Sequence, residues 1–147
     1  LLGVAGYYLV LQRMGFTELL DFAHGGMDAL LAPWRADGGF DVVIEATGAA
    51  ATIAPALAAL RTRGVLVVTG IHAAPVPIDL VALVRRHHQL RGSYRAPESA
   101  WPEVIAFMQA HQETLRHMVT HTVPLAQAQE AFALARSKRA TKVMVQP

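Results

Sequence analysis

Residues 41–48 read DVVIEATG: an unbroken apolar run that ends in a carboxylate, with threonine two residues later and glycine three residues later. An acid placed there could serve as a general base. An acid between a strand and a helix start more often accepts the free backbone N–H groups of the following turn or pairs with a basic neighbour, and that is the simpler expectation for Glu45. Residues 67–71, VVTGI, close a second apolar run on Thr69-Gly70. Glycine carries no Cβ, so Gly48 and Gly70 can let a planar or phosphorylated ligand lie against the main chain, or can simply allow a tight strand-to-helix turn. Two neighbouring strands ending alike favour the ligand. His72 follows directly, where an imidazole could hydrogen-bond a ribose or substrate, or face solvent as an ordinary loop histidine.

The other histidines promise less. His117 and His121 stand four apart, a spacing that can hold a metal on one helix face, but HMVTHTVP reads as a helix running into a strand and offers no third ligand. His87 and His88 are adjacent and would point about a hundred degrees apart on a helix. With no cysteine in the chain, disulfides, thiolate zinc sites and cysteine nucleophiles are excluded, and an intracellular, cytoplasmic setting is the simpler expectation. The formal charge is only +2, and the tightest basic cluster, RRHHQLR at 85–91, has no interleaved aromatic. It reads as a solvated helix end, and no nucleic-acid partner is expected. Charges, glycines or prolines interrupt every apolar run, so no membrane span is expected either. LLGVAGYYLVLQRMG lacks an initiating Met and a basic leader, which makes it a poor signal peptide; the chain reads as a piece of something longer.

The elements that position these residues follow from the apolar pattern. FDVVIEATG is a buried strand, AAATIAPALAALRTRG a helix stopped by Gly64, and VLVVTGI a second buried strand. Strands without polar alternation are expected to be covered on both faces, and this β-α-β unit makes a parallel sheet. Upstream, TELLDF reads as a strand and GMDALLAPWRADGG as a helix that Pro33 kinks or breaks. Downstream come the extended APVPIDL, the helix LVALVRRHH and the strand QLRGSYR. The tail holds an amphipathic helix, SAWPEVIAFMQAHQETLRH, then the strand VTHTVPL. A helix follows with its apolar face at Ala128, Phe132, Leu134 and Ala135, and the strand KVMVQ closes the chain. It could pack on the first sheet or belong to a second unit. Trp34 and Trp101, at apolar helix positions, read as core or interface residues. The expected class is α/β: a doubly wound parallel sheet.

GFDVVIEATGAAATIAPALAALRTRGVLVVTGI, then PIDLVALVRRHHQLRGSYR, then VTHTVPLAQAQEAFALARSKRATKVMVQP, resemble the second half of a medium-chain, zinc-dependent alcohol dehydrogenase of the polyol or threonine dehydrogenase type. The likeness in order and spacing runs over residues 15–147. It implies part of a Rossmann fold, a partial dinucleotide-binding domain over residues 1–94, and a C-terminal portion of the catalytic domain over 95–147. The implied chemistry is hydride transfer between a small alcohol or polyol and NAD or NADP, assisted by zinc in the complete protein, within a homo-oligomer such as a dimer or tetramer. By the same resemblance Ala46, Thr47 and Gly48 lie under the nicotinamide ribose. Gly70 and Ile71 offer main-chain groups to the carboxamide, Gly92 and Ser93 border the nicotinamide, and Lys142 reaches the pyrophosphate.

Several family features are missing from this sequence. The first strand, its G-x-G-x-x-G turn, the catalytic zinc ligands and the structural zinc cysteines do not occur in it. This chain is therefore expected to hold no catalytic residue or metal ligand and to oxidise no alcohol alone. The ribose-binding acid expected after the second strand has no counterpart in the first seventeen residues, which leaves NAD and NADP both open. A second register takes LLG as the end of the glycine turn and Asp21 as that acid, at the cost of a deletion before Phe40.

Overall fold

The computed structural model of the protein describes residues 5–20, 26–137 and 139–147. The described residues form two compact units, one spanning 24–95 and the other 1–23 together with 96–147.

In the first unit, helix α2 (Met27–Ala36) leads into strand β1 (Phe40–Glu45), helix α3 (Ala50–Ala59), strand β2 (Leu60–Val68), helix α4 (Leu80–Arg85) and strand β3 (Gln89–Gly92). The sheet is parallel with order β1-β2-β3, the α/β arrangement that two apolar runs around a helix demand. Ile53 and Ala56 of α3 meet Leu60 and Leu66 of β2 in the core, which Val43, Leu57, Val76 and Ile78 complete. Coverage on both faces is not found among the described residues. Val42 and Ile44 are 53% and 66% exposed while Val43 turns toward the helices. Asp79 starts α4 because its carboxylate accepts the Val81 and Ala82 N–H groups at 2.9 and 3.0 Å.

Several boundaries differ from expectation. Helix α3 stops at Ala59 rather than at Gly64, because Leu60, 1% exposed, turns extended and pairs with Phe40. Residues 61–64 then bulge before Val65 resumes the ladder opposite Val42. Arg63 holds a left-handed φ of 66° within that bulge. Of the kink or break expected at Pro33, the break is not found, since α2 runs on to Ala36. No strand forms over residues 17–20, and residues 21 and 22 of that expected strand lie outside the described residues, as do Asp21 and Leu1-Leu2-Gly3 of the second register.

In the second unit, helix α1 (Ala5–Arg13) stands at the chain start. A 3-10 turn (Glu98–Ala100) precedes α5 (Trp101–Ala110), and α6 (Gln112–Arg116), β4 (Val119–Pro124), α7 (Ala128–Arg136) and β5 (Lys142–Gln146) follow. The expected single tail helix divides at His111, whose φ of −114° is not helical and whose ring lies 4.3 Å from that of Phe107. Strands β4 and β5 pair in parallel as their own sheet, with α7 packed on them through Ala131, 6% exposed. Phe132, expected on the buried face, is instead 67% exposed. Every residue of α5 is exposed, including Trp101 at 58%, so the core reading of Trp101 is corrected. Trp34 is half-buried against Phe40, with ring centroids 6.1 Å apart.

Candidate functional site

The start of α3 sets the geometry at the tip of β1. Its N-cap residue is Ala49, which has no side-chain acceptor to offer. Glu45, at the strand end, serves the turn ahead of the helix instead. Its Oε1 accepts the Thr47 N–H at 2.7 Å, the Thr47 hydroxyl at 2.5 Å and the Gly48 N–H at 3.0 Å. The Thr52 hydroxyl, 3.1 Å from Oε1 and 2.7 Å from the Ala49 carbonyl, divides its one proton between the two. Thr47 in turn accepts the Ala49 N–H at 3.1 Å. Glu45 thus accepts the backbone N–H groups of the turn that precedes α3, not those of the helix's first turn. Burial pushes this carboxyl up, but the bonds from Thr47, Thr52 and Gly48 outweigh burial and hold it below its ordinary 4.5. A carboxylate kept ionised by four donors is a weak proton acceptor, and Glu45 is not placed as a general base.

The tips of β1 and β2 are joined. The Glu45 carbonyl accepts the Thr69 and Gly70 N–H groups at 2.8 and 3.1 Å. A Cβ on Gly48, where φ is +69°, would collide with the Ile71 carbonyl, and one on Gly70 would collide with the Gly48 main chain and stand 2.5 Å from Glu45 Oε2. The two glycines thus answer first to each other, because the room for both missing side chains is taken by the opposite tip. Ile71, 78% exposed, carries the surface outward from the junction.

His72 is not the solvent-facing loop residue of the simpler reading. Its side chain is 14% exposed, with Nδ1 3.2 Å from the Gly70 carbonyl and Nε2 3.9 Å from Glu45 Oε2. That last separation is too long for a hydrogen bond, and both atoms are buried without a hydrogen-bond partner. The Nδ1 contact makes it the protonated nitrogen, donating to the carbonyl.

Of the residues expected to meet a nucleotide, Ala46, Thr47, Gly48, Gly70 and Ile71 come together at this junction. Gly92 and Ser93 end the next strand over: Gly92 pairs with Val68, and the Ser93 N–H donates to the Val68 carbonyl at 3.0 Å. Nothing lies within 4 Å of where a Gly92 Cβ would sit. It borders an apolar cleft of about 220 Å³ that Ile53, Val68, Leu90 and the edge of His72 also line. Lys142 belongs to the other unit, exposed at the first position of β5 opposite Val119. The buried His72–Glu45 approach was not legible, since residue spacing says nothing of which side of a loop a ring takes.

Among the described residues no group of three or more His, Asp or Glu side chains converges to hold a metal. His117 is exposed, and His121 turns its Nδ1 to the Thr120 hydroxyl at 3.0 Å. The described residues do not form a zinc site. No helix is long and apolar enough to cross a membrane among those described.

The sequence pattern of zinc-binding dehydrogenases matches residues 9–110. A probable zinc-binding alcohol dehydrogenase of Mycobacterium tuberculosis is 32% identical over 87% of this chain and 33% of its own length. An L-threonine 3-dehydrogenase of Anaeromyxobacter dehalogenans is 30% identical over 91% of this chain and 39% of its own. The crystal structure of an alcohol dehydrogenase from Thermotoga maritima superposes with a TM-score of 0.89 at 22% identity, covering 99% of this chain and 41% of that one. The chain thus spans between about a third and two fifths of the length of the relatives it matches.

Proposed function

The chain belongs to the zinc-binding dehydrogenase family, and we propose that within it these residues form the coenzyme-binding part of an oxidoreductase that moves a hydride between an alcohol or polyol and NAD or NADP. The observation that carries the reading is the junction of the β1 and β2 tips at the carboxyl edge of a parallel sheet, the edge where open α/β sheets bind their ligands. In this reading Ala46, Thr47 and Gly48 lie under the nicotinamide ribose. The carboxamide meets the main chain at Gly70 and Ile71. The N–H of Gly70 is already given to Glu45 and its carbonyl to His72, so Ile71 supplies the freer groups. Gly92 and Ser93 form the adjoining wall, where the absence of a Cβ leaves space for a flat ring. Lys142 supplies a point charge to the pyrophosphate. The coenzyme part runs over residues 1–94 and the part completing a catalytic domain over 95–147.

The nicotinamide, when bound, is what accepts or returns the hydride; the residues of this chain hold and orient it. Glu45 keeps the two tips in register without exchanging a proton. The chain offers no zinc cage among its described residues, so no step is assigned to a metal held by it, and we expect no alcohol oxidation by the isolated 147-residue chain. The substrate is a small alcohol, and the working form a homo-oligomer.

The test is a titration of NAD and NADP followed by tryptophan fluorescence and melting temperature. A saturable shift with either nucleotide supports the reading, and Lys142→Ala should weaken that binding by roughly 1.5–3 kcal/mol if the lysine makes a charge-assisted bond. No response to either nucleotide overturns it. A second reading, an association module without catalysis, draws on β3: it is an edge strand whose four residues are all exposed. Melting that depends on protein concentration and ignores both nucleotides would select that module.

A further inference from the structure

Helix α4 ends in a closed turn. The His87 N–H donates to the Val84 carbonyl at 3.1 Å and the His88 N–H to the Leu83 carbonyl at 3.0 Å, with His87 left-handed at φ 54°. This bond pair is the Schellman termination, whose last residue ordinarily packs an apolar side chain back on the helix. Here that residue is a histidine. His88 is only 7% exposed, and both ring nitrogens lack a hydrogen-bond partner.

His88 is among the residues that line a cleft of about 380 Å³ between α3 and α4, near the lower end of volumes that hold small ligands. Leu57, Ile78 and Leu83 form its apolar walls, and Asp79 and Arg86 are its charged members. Burial and then the Arg86 charge hold the His88 ring below its ordinary 6.5, while the Arg61 main chain favours the protonated ring without reaching hydrogen-bond geometry with it. The ring is therefore neutral at pH 7, with one N–H to give. Arg86 makes no ion pair within the described residues. Asp79 has Oδ1 committed to the Val81 and Ala82 N–H groups.

We propose that this cleft is a binding site for a small carboxylate with an apolar body, the Arg86 guanidinium meeting the charge and the His88 ring, whose nitrogens are closed off in the unliganded chain, turning to donate to a carboxylate oxygen. A cation is disfavoured by Arg86, and a purely apolar guest would leave the buried ring nitrogens unanswered. Asp79 repels the carboxylate and so turns it toward Arg86 and His88, with the body along Leu57 and Ile78. The site is separate from the strand-tip junction, and the inference does not rest on the coenzyme reading.

Octanoate and its uncharged isostere octanamide are the probes, titrated into the full chain by calorimetry and by NMR of the histidine rings. Octanoate should bind saturably, raise the pH at which His88 titrates, and bind about tenfold more tightly than octanamide. Arg86→Gln and His88→Leu should each weaken octanoate about tenfold. His88→Leu keeps the turn and puts there the apolar side chain such a turn prefers, so its melting temperature, equal to or above that of the parent, shows that lost binding is not lost folding. Asp79→Asn, which keeps the cap, should tighten octanoate. Equal affinity for octanoate and octanamide, or an unmoved His88 resonance, overturns the proposal, as does undiminished binding by Arg86→Gln.

Discussion

A single oxygen, Oε1 of Glu45, gathers four donors and decides how the β1 tip passes into α3. The folded carboxyl sits below its ordinary 4.5. Its stabilising contribution is therefore complete above the unfolded value and is lost as pH falls through the lower folded one. Glu45→Gln should cost roughly 1.5–3 kcal/mol near pH 7, the scale of hydrogen bonds to a charged group. In melts taken at successively lower pH, the gap between variant and parent should close below 4.5. A gap that stays constant into strong acid would show that the charge is not what counts. This role was legible in the sequence, because an acid directly before a Thr-Gly turn is the nearest acceptor for that turn's backbone N–H groups. The buried states of His72 and His88 were not. Adjacent or loop histidines reveal their spacing, whereas burial is decided by the turn that follows α4 and by the return of the chain after β2.

At the scale of elements, β1, α3, β3 and the tail strands follow from apolar runs and their punctuation. The passage from α3 into β2 did not, since Arg61-Thr62-Arg63-Gly64 has the look of a helix end closed by glycine. What overrides that local signal is the pairing of Leu60 with Phe40 and the burial of Leu60 in the core. The bulge leaves Arg63 at φ 66°, donating its N–H to the Arg86 carbonyl at 2.9 Å. A left-handed non-glycine residue costs about 1–2 kcal/mol, and a glycine loses about 0.5–1 kcal/mol of that relief through the entropy of the unfolded chain. Arg63→Gly should thus stabilise the protein by up to about 1.5 kcal/mol in urea unfolding, with its slope unchanged. A loss of stability would mean that the Arg63 side chain, rather than its backbone angle, matters there. The strand expected over residues 17–22 fails at 17–20 because a short apolar pair, Leu19-Leu20, cannot by itself tell a strand from an irregular segment.

The molecule as a whole carries two units with separate sheets, and each holds one tryptophan: Trp34 in residues 24–95 and Trp101 in the other. Trp101→Phe and Trp34→Phe then give single reporters. At a hundredfold excess of nucleotide over its dissociation constant, linkage adds about 2.7 kcal/mol to the state that binds. Under the coenzyme reading that increment should appear in thermal unfolding watched through Trp34, and a Trp34 midpoint that does not move with NAD or NADP counts against it. The second unit has a different bearing on handling in the laboratory. Trp101, Val104, Ile105, Phe107 and Met108 all stand in water along α5, and strongly hydrated salts raise the penalty for keeping such surface wet. The chain should therefore cling to a phenyl-substituted resin in ammonium sulfate and salt out early, and purification is best run in dilute buffer from the first column onward.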